Sequence, residues 1–415
     1  VQVERHSLDK SLVALVVVLV GLGLATLYSA GQTDVPSVVA DIWKRQLIWI
    51  GLGLVGAVVA FRLSPRLLEW VAPAFYGAAV LLLGLTLLFG VGAGTAAGTK
   101  SWISLFGVRL GQPAEMAKLA TILMLARILG TRRHPPAGIW EALPAGIVVG
   151  IPFAMVALQP DLGSAIVFVA ILFGALYWAG LRLSLLLLLV SPGLSLLLSF
   201  STLSLGIWIV CLTAFVLWMR PYVAEGLSIW FANAITGMAA LQLWQRLQPY
   251  QQKRLLSFLN PDMDPRATGW HIIQSKIAVG SGGIDGVGYL EGTQKRLAFL
   301  PAQHTDFVYS VVGEEFGFLG VLVTLSLFAG LILVLLRIAR KASDPFSSMV
   351  VAGIATMLLT HTIVNIGMTV GLMPITGIPL PFFSYGGSFM LTCCISIGLV
   401  LRVSWESHGL RYLNV

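Results

Sequence analysis

Charged side chains are scarce: Asp, Glu, Lys and Arg make up 11% of the 415 residues, about half the ~25% usual in soluble domains. That shortage excludes an ordinary water-soluble fold. Cysteine is rarer still. Cys211, Cys393 and Cys394 all lie within apolar runs, without the paired or CxxC spacing of a disulfide framework or structural metal site, so they are expected to be packing residues. No small-residue cleavage site follows the first apolar run, and Leu12 to Tyr28 is expected to be a retained helix rather than a cleaved signal. The 26 basic residues outnumber the 18 acidic ones, but much of the excess falls in short loops between apolar runs. It reads as a topology signal and not as a nucleic-acid surface.

What the sequence has in abundance is apolar length: 57% of its residues are hydrophobic. Apolar runs lie near 12–30, 46–63, 70–91, 113–129, 140–157, 162–180, 182–199, 203–219, 223–245, 317–338, 348–369 and 383–403, most of them near the roughly 20 residues that cross a bilayer. The fold class is an all-α polytopic membrane protein of about twelve transmembrane helices, a single domain over 1–415. The pair from Leu181 to Met219 is open to a re-entrant reading. An even count puts both termini on one side. Alternate short loops carry Arg62, Arg66, Arg132, Arg133, Arg182, Arg220, Arg337, Arg340 and Lys341, against Lys44, Arg45, Lys100 and Arg109 on the other side. The Lys/Arg-rich loops and both termini should be cytoplasmic, and the long polar stretch 248–316 extracytoplasmic.

That stretch is the longest segment a bilayer cannot hide. Leu247 to Leu259 mixes Gln251, Lys253 and Arg254 with leucines, as in a basic amphipathic segment at lipid headgroups, and Pro261 and Pro265 break it. The cluster GSGGIDGVG follows no strand and opens no helix, so it fails the context of a dinucleotide fingerprint. It reads as a flexible turn, though successive N–H groups in such turns can hold anions. His304, Thr305 and Asp306 then stand just before an apolar run. Ionisable groups at such a boundary mark a functional site, with N-capping of the next helix as the plainer role for Asp306. In QPAEMAK, Glu115 and Lys118 are three apart on one helical face and can pair, either as a structural ion pair or in a functional role. Asp161 in ALQPDLGSA is a candidate N-cap or outer-surface binding residue. Asn365, Ser384 and Tyr385 lie among Gly and Pro in NIGMTVGLMPITGIPLPFFSYGGS, where irregular backbone at membrane depth must be buried or line a cavity.

The segments QPAEMAK, ALQPDLGSA, GWHIIQSKIAVGSGG, GTQKRLAFLPAQHTDFVYSVVGEEFGFLG and NIGMTVGLMPITGIPLPFFSYGGS, in this order along nearly the whole chain, resemble the signature segments of the SEDS family (shape, elongation, division and sporulation). The order of GTQ, FLP and HTDF is closer to its elongation branch than to its division branch. The resemblance implies a peptidoglycan glycosyltransferase of the bacterial cytoplasmic membrane that joins lipid II units into glycan strands for elongation and rod shape. A class B penicillin-binding protein would be its crosslinking partner. Asp306 maps to the residue most tied to catalysis, Glu115 and Lys118 to the paired acid and base, and Arg45 to a basic residue after the first outer loop. The chain departs from the family in having Ala114 where a serine is usual. It also has an apolar region, 181–247, long enough for a pair beyond the family's about ten spans.

Glycosyl transfer from a lipid pyrophosphate needs a base for the attacking sugar hydroxyl and a cation to offset charge on the leaving group. Asp306 is the expected base. Direct inversion would need only one essential carboxylate. Lys276, Lys295, Arg296, Lys118 and Arg45 are the candidate cations, or a divalent ion, Mg²⁺ or Mn²⁺, bridging phosphate oxygens; no tightly bound cofactor is expected. The substrate-binding set is expected to comprise Lys118, Glu115, Arg45, Lys276, Gln294, Arg296, His304, Thr305 and Ser384, in contact with lipid II and membrane lipids. Two other readings compete: a lipid II flippase, for which a buried charge pair and broken helices around Pro374 and Pro379 also suit, and a non-catalytic scaffold for the transpeptidase.

Overall fold

The computed structural model describes residues 8–34, 40–92, 101–105, 108–132, 134–219, 223–247, 249–259, 268–297, 299–300 and 302–410. Pro261, Pro265, Lys100, Arg133 and Arg220 lie outside them. The helices are α1 (Lys10–Gly31), α2 (Ile42–Arg62), α3 (Pro65–Phe89), α4 (Pro113–Gly130), α5 (Ile139–Leu158), α6 (Leu162–Trp178), α7 (Leu183–Leu198), α8 (Thr202–Met219), α9 (Val223–Arg246), α10 (Pro249–Leu259), α11 (Thr268–Ser281), α12 (Thr293–Arg296), α13 (Val308–Lys341), α14 (Pro345–Thr369) and α15 (Gly387–Leu410). A short antiparallel pair, β1 (Ile103–Leu105) and β2 (Val108–Gly111), precedes α4. Each apolar run of the sequence is thus a helix. Among the described residues eight helices are long and apolar enough to cross a membrane, namely α1, α2, α3, α5, α8, α13, α14 and α15, while α6 and α7 are apolar but shorter.

Helix starts follow their capping residues. Asp9 accepts from the N–H groups of Ser11 and Leu12, Ser64 precedes Pro65 at the first position of α3, and Asp344 accepts from Ser347 N–H ahead of α14. Each cap satisfies donors that the helix leaves unpaired, and proline there forfeits no bond. These starts share a pole with Arg62, Arg337, Arg340 and Lys341; Arg337 pairs with Asp9 at 2.7 Å. The opposite pole gathers the ends of α1 and α14, the starts of α2, α4, α6 and α13, and the segment 371–386.

α14 and α15 are the most enclosed spans and α8 the least. α14 lies against α4, α6 and α13, and α15 against α2. The α2–α15 contact is close because a Cβ at Gly398 would stand 2.3 Å from the Ala57 carbonyl oxygen, the small-residue packing that lets membrane helices approach. Cys394 packs in the same seam against Gly53. The region 181–247 forms α7, α8 and α9, held together by polar contacts: Asn233 donates to Ser191 Oγ (2.7 Å), Ser195 donates to Asn233 (2.6 Å), and Trp208 donates to Ser195 (2.8 Å). Glu225 of α9 accepts from Ile139 N–H at the start of α5 (2.9 Å), a favourable place for a carboxylate at a helix N-terminus.

Within 248–316 the described residues form α10, α11, α12 and the first turns of α13. α13 is kinked at Gly317, whose φ of 59° and ψ of −159° are open to glycine. The glycine cluster after α11 packs against this kink. Gly286 N–H donates to Gly282 O, Val287 and Gly288 N–H donate to the Glu314 and Glu315 carbonyls, and a Cβ at Gly286 would stand 2.1 Å from the Glu315 carbonyl oxygen. The cluster expected to be a flexible turn is a fitted joint.

Candidate active site

Asp306 sits in the turn 302–307 that opens α13. Phe307 occupies the N-cap position and no side chain caps this helix, so N-capping does not account for Asp306. Its carboxyl is held up from an ordinary 3.8 to about 6, chiefly by burial, against the opposing pull of the Arg254 guanidinium on α10 and the neighbouring Thr305 hydroxyl. Its Oδ2 faces Gly377, where a Cβ would lie 3.7 Å away. Burial lowers the pKa of His304, and its ring lies 6.3 Å from that of Tyr385.

Three successive carbonyls of this turn are fastened from one side. Tyr385 N–H donates to His304 O (2.9 Å), Ser384 Oγ to Thr305 O (2.6 Å), and Asn365 Nδ2 to Asp306 O (3.0 Å). Asn365 also donates to Ile378 O (2.7 Å), and Ser384 Oγ accepts from Leu380 N–H (2.8 Å). Both facing segments contain a non-glycine residue in left-handed conformation, Ala302 (φ 50°) and Phe382 (φ 64°). Such backbone costs about 1–3 kcal/mol per residue and persists where its surroundings fix it.

The α4 pair forms as its spacing implies. Lys118 Nζ lies 2.8 Å from Glu115 Oε1, with both side chains buried, and 3.0 Å from His361 Nε2 on α14. His361 stacks on Phe389 with ring centroids 4.5 Å apart, and its Nδ1 lies 3.1 Å from Pro379 O. Asp161 caps α6 through Ser164 N–H (3.0 Å) and accepts from Gln112 Nε2 (2.7 Å), which ties the starts of α4 and α6.

A second buried pair, Lys295 with Glu315, includes the Ser29 hydroxyl. Glu315 also accepts from Leu290 N–H (3.0 Å), and Glu314 from Gln294 N–H (2.8 Å). The adjacent glutamates of α13 therefore dock the GTQKR segment. This engages Lys295 structurally and leaves Gln294 with its side-chain oxygen buried without a partner. Arg296 pairs with Asp34 at 3.2 Å on an exposed face. Lys276 is exposed beside Gly371, and Arg45 is exposed in the first turn of α2.

The structure thus joins Asp306, Thr305, His304 and Ser384 directly, and links Glu115 and Lys118 to them through α14. It puts Gln294 and Arg296 on a neighbouring joint, and no described contact brings Arg45 to Asp306. Sequence reasoning missed His361, a single histidine in an apolar run; its one signal was its place four residues before Asn365, on the same helical face. It also passed over Arg254 as a headgroup residue.

A many-span helical protein with a fastened carboxylate at one pole and a buried ion pair beneath it defines a class of membrane-embedded protein. The chain belongs to the FtsW/RodA/SpoVE family of cell cycle proteins, which it matches over residues 10–209 and 200–409, as the SEDS resemblance anticipated. It is 33% identical over 428 residues to the peptidoglycan glycosyltransferase RodA of Treponema pallidum (strain Nichols), covering 95% of this chain and 97% of that one. It is 35% identical over 404 residues to the probable peptidoglycan glycosyltransferase FtsW of Trichlorobacter lovleyi, covering 95% and 93%. A solved chain from a peptidoglycan synthase complex, studied for its coordination of polymerization and crosslinking, superimposes with a TM-score of 0.70 at 32% identity, over 97% of this chain and 99% of that one.

Proposed function

We propose that this protein is a peptidoglycan glycosyltransferase that polymerises lipid II, with Asp306 as general base. The observation that carries the reading is the state of Asp306: free of any capping duty, titrating at about 6 and anchored by its backbone. At pH 7 such a carboxylate is ionised yet basic enough to accept a proton, the match general-base catalysis requires. The sugar hydroxyl oxygen of one chain attacks the anomeric carbon of the other as its proton passes to Asp306. The bond from that carbon to the phosphate oxygen breaks, and the lipid pyrophosphate leaves with the electron pair. Arg254 and Lys276 are the cations suited to offset its charge.

Among the described residues no three His, Cys, Asp or Glu side chains come together. Any Mg²⁺ or Mn²⁺ would be held mainly by the phosphates, and no step here depends on one. The Asp306 pole faces outward and the arginine-rich pole and both termini face the cytoplasm, in the bacterial inner membrane, which follows the Lys/Arg bias. A class B penicillin-binding protein is the partner, and elongation is the process served. Relatives named for both RodA and FtsW are similarly close, so that last assignment rests on the GTQ, FLP and HTDF segments.

The experiment is polymerisation of labelled lipid II by purified protein, with and without the transpeptidase. Asp306→Asn should remain folded and bind lipid II while polymer formation falls at least ~10²-fold. Normal polymerisation by Asp306→Asn would remove Asp306 as the base, and no polymer from the wild type with its partner would favour a flippase.

A further inference from the structure

The buried pair on α4 lies within the membrane-spanning body, whereas Asp306 stands at its edge. The hydrogen bonds between them define a direction of transmission. Lys118 paired with Glu115 is an ammonium, which donates and cannot accept. His361 Nε2, 3.0 Å from Lys118 Nζ, must therefore be the acceptor. The imidazole proton is then on Nδ1, which donates to Pro379 O at 3.1 Å. Phe389 stacked on the ring fixes its plane. One helical turn further along α14, Asn365 bonds Ile378 O and Asp306 O together. Residues 378 and 379 are thus held from α14 at consecutive carbonyls, and Ser384, whose Oγ accepts from Leu380 N–H, holds Thr305 O.

We infer that His361 is a positioning residue for Asp306: locked in one tautomer by Lys118, it clamps the Pro379 carbonyl and so fixes the segment that fastens the catalytic turn. The inference rests on the reading of Asp306 as base and adds the means by which the α4 ion pair serves it. Hydrogen bonds that hold a reacting group from behind govern its alignment, since a displacement of about 1 Å can cost about 10²-fold in rate.

Two substitutions separate this role from a merely structural one. In His361→Gln the amide oxygen takes the place of Nε2 and can accept from Lys118, but nothing donates to Pro379 O. In His361→Asn the amide nitrogen takes the place of Nδ1 and donates to Pro379 O, but Lys118 loses its second partner. If His361 positions the turn, the Gln variant loses about 10- to 100-fold in turnover at saturating lipid II with little change in half-saturating concentration, and the Asn variant recovers most of it. Hydrogen exchange over residues 302–307 and 378–386 should rise in the Gln variant and stay near wild type in the Asn variant.

If His361 serves only to satisfy Lys118, the order reverses, and that result overturns the inference. So does full turnover in His361→Gln. Ser384→Ala leaves α4 and α14 untouched and covers the case in which neither His361 variant folds: it should also lose turnover, and unchanged turnover would sink the proposed linkage. Should Asp306→Asn prove active, the base assignment fails by itself, while the exchange measurement still decides the link from His361 to the turn.

Discussion

Removing either member of the Glu115–Lys118 pair should cost far more than removing both. Lys118 has no exposed surface and Glu115 almost none; the two meet at 2.8 Å, Lys118 has one further hydrogen-bond partner, His361, and its ammonium lies 5.8 Å from the Phe389 ring centroid. In Lys118→Met the carboxylate stays buried with its strongest partner gone, and in Glu115→Gln the ammonium keeps an imidazole, an amide and the Phe389 ring but no counter-charge. An uncompensated buried charge costs on the order of 3–5 kcal/mol, a large part of the 5–15 kcal/mol that holds a typical domain folded. The double variant buries neither charge, so its destabilisation should fall well below that of either single. Equilibrium unfolding in mixed detergent micelles gives the four free energies of the cycle, and the interaction term should be several kcal/mol and favourable to the pair. Single effects that simply add would mean that the two residues act apart and that one of them meets substrate directly. Stability and turnover should also part company: the double variant regains stability, yet His361 still lacks Lys118 and its tautomer is no longer fixed.

The remaining predictions concern the Asp306 turn and the glycine joint. Asp306 titrates at about 6 rather than 3.8, so wild-type turnover should fall about tenfold per unit once pH drops below ~6, and an acid limb centred near 4 would refute the environment described. The folded state binds that proton more tightly than the unfolded chain, so wild-type stability should decline as pH rises from about 4 through 6 and level off above. Asp306→Asn should lack that slope in unfolding measurements. Gly283 and Gly286 both adopt positive φ, but a Cβ at Gly283 meets nothing within 4 Å whereas one at Gly286 meets the Glu315 carbonyl oxygen at 2.1 Å. Alanine should cost about 1–2 kcal/mol at Gly283 and clearly more at Gly286, where the joint with α13 must open; equal costs would mean that the joint is not tight.

Much of the fold was legible because a bilayer demands long apolar runs, and each run became a helix. Glu115 and Lys118 were legible because i, i+3 spacing alone places them together. Asp306 was singled out by its place at a membrane boundary, but its freedom from capping is a matter of backbone geometry: the helix begins at Val308 with Phe307 as its cap. The contacts that give the site its shape join residues far apart in sequence, such as Ser384 to Thr305 and Lys118 to His361. No local period encodes them. The glycine cluster misled in an informative way, since glycine marks flexible turns and close backbone approach alike, and only the partner strand of chain, here 313–317, tells them apart. Glu314 and Glu315 are each buried and satisfy backbone N–H groups of the segment 290–294, contacts that their adjacency in sequence does not reveal.

With Asp306 as the proposed base, the arrangement also answers why an enzyme working at a membrane edge would place its carboxylate on a turn. A base on a rigid helix inside the bilayer would be beyond the reach of sugars that stay in water, while a base on an ordinary surface loop would be poorly aligned. Fastening the His304 and Thr305 carbonyls from a second segment that is itself bonded to the most enclosed helix, and the Asp306 carbonyl from that helix directly, resolves the conflict. The side chain gains access to the polar side and the backbone inherits the rigidity of the core. On this argument the functional residues of such a protein include main-chain acceptors, whose identity no substitution scan reports directly, and the donors that hold them, Asn365, Ser384 and His361, are where their loss can be read.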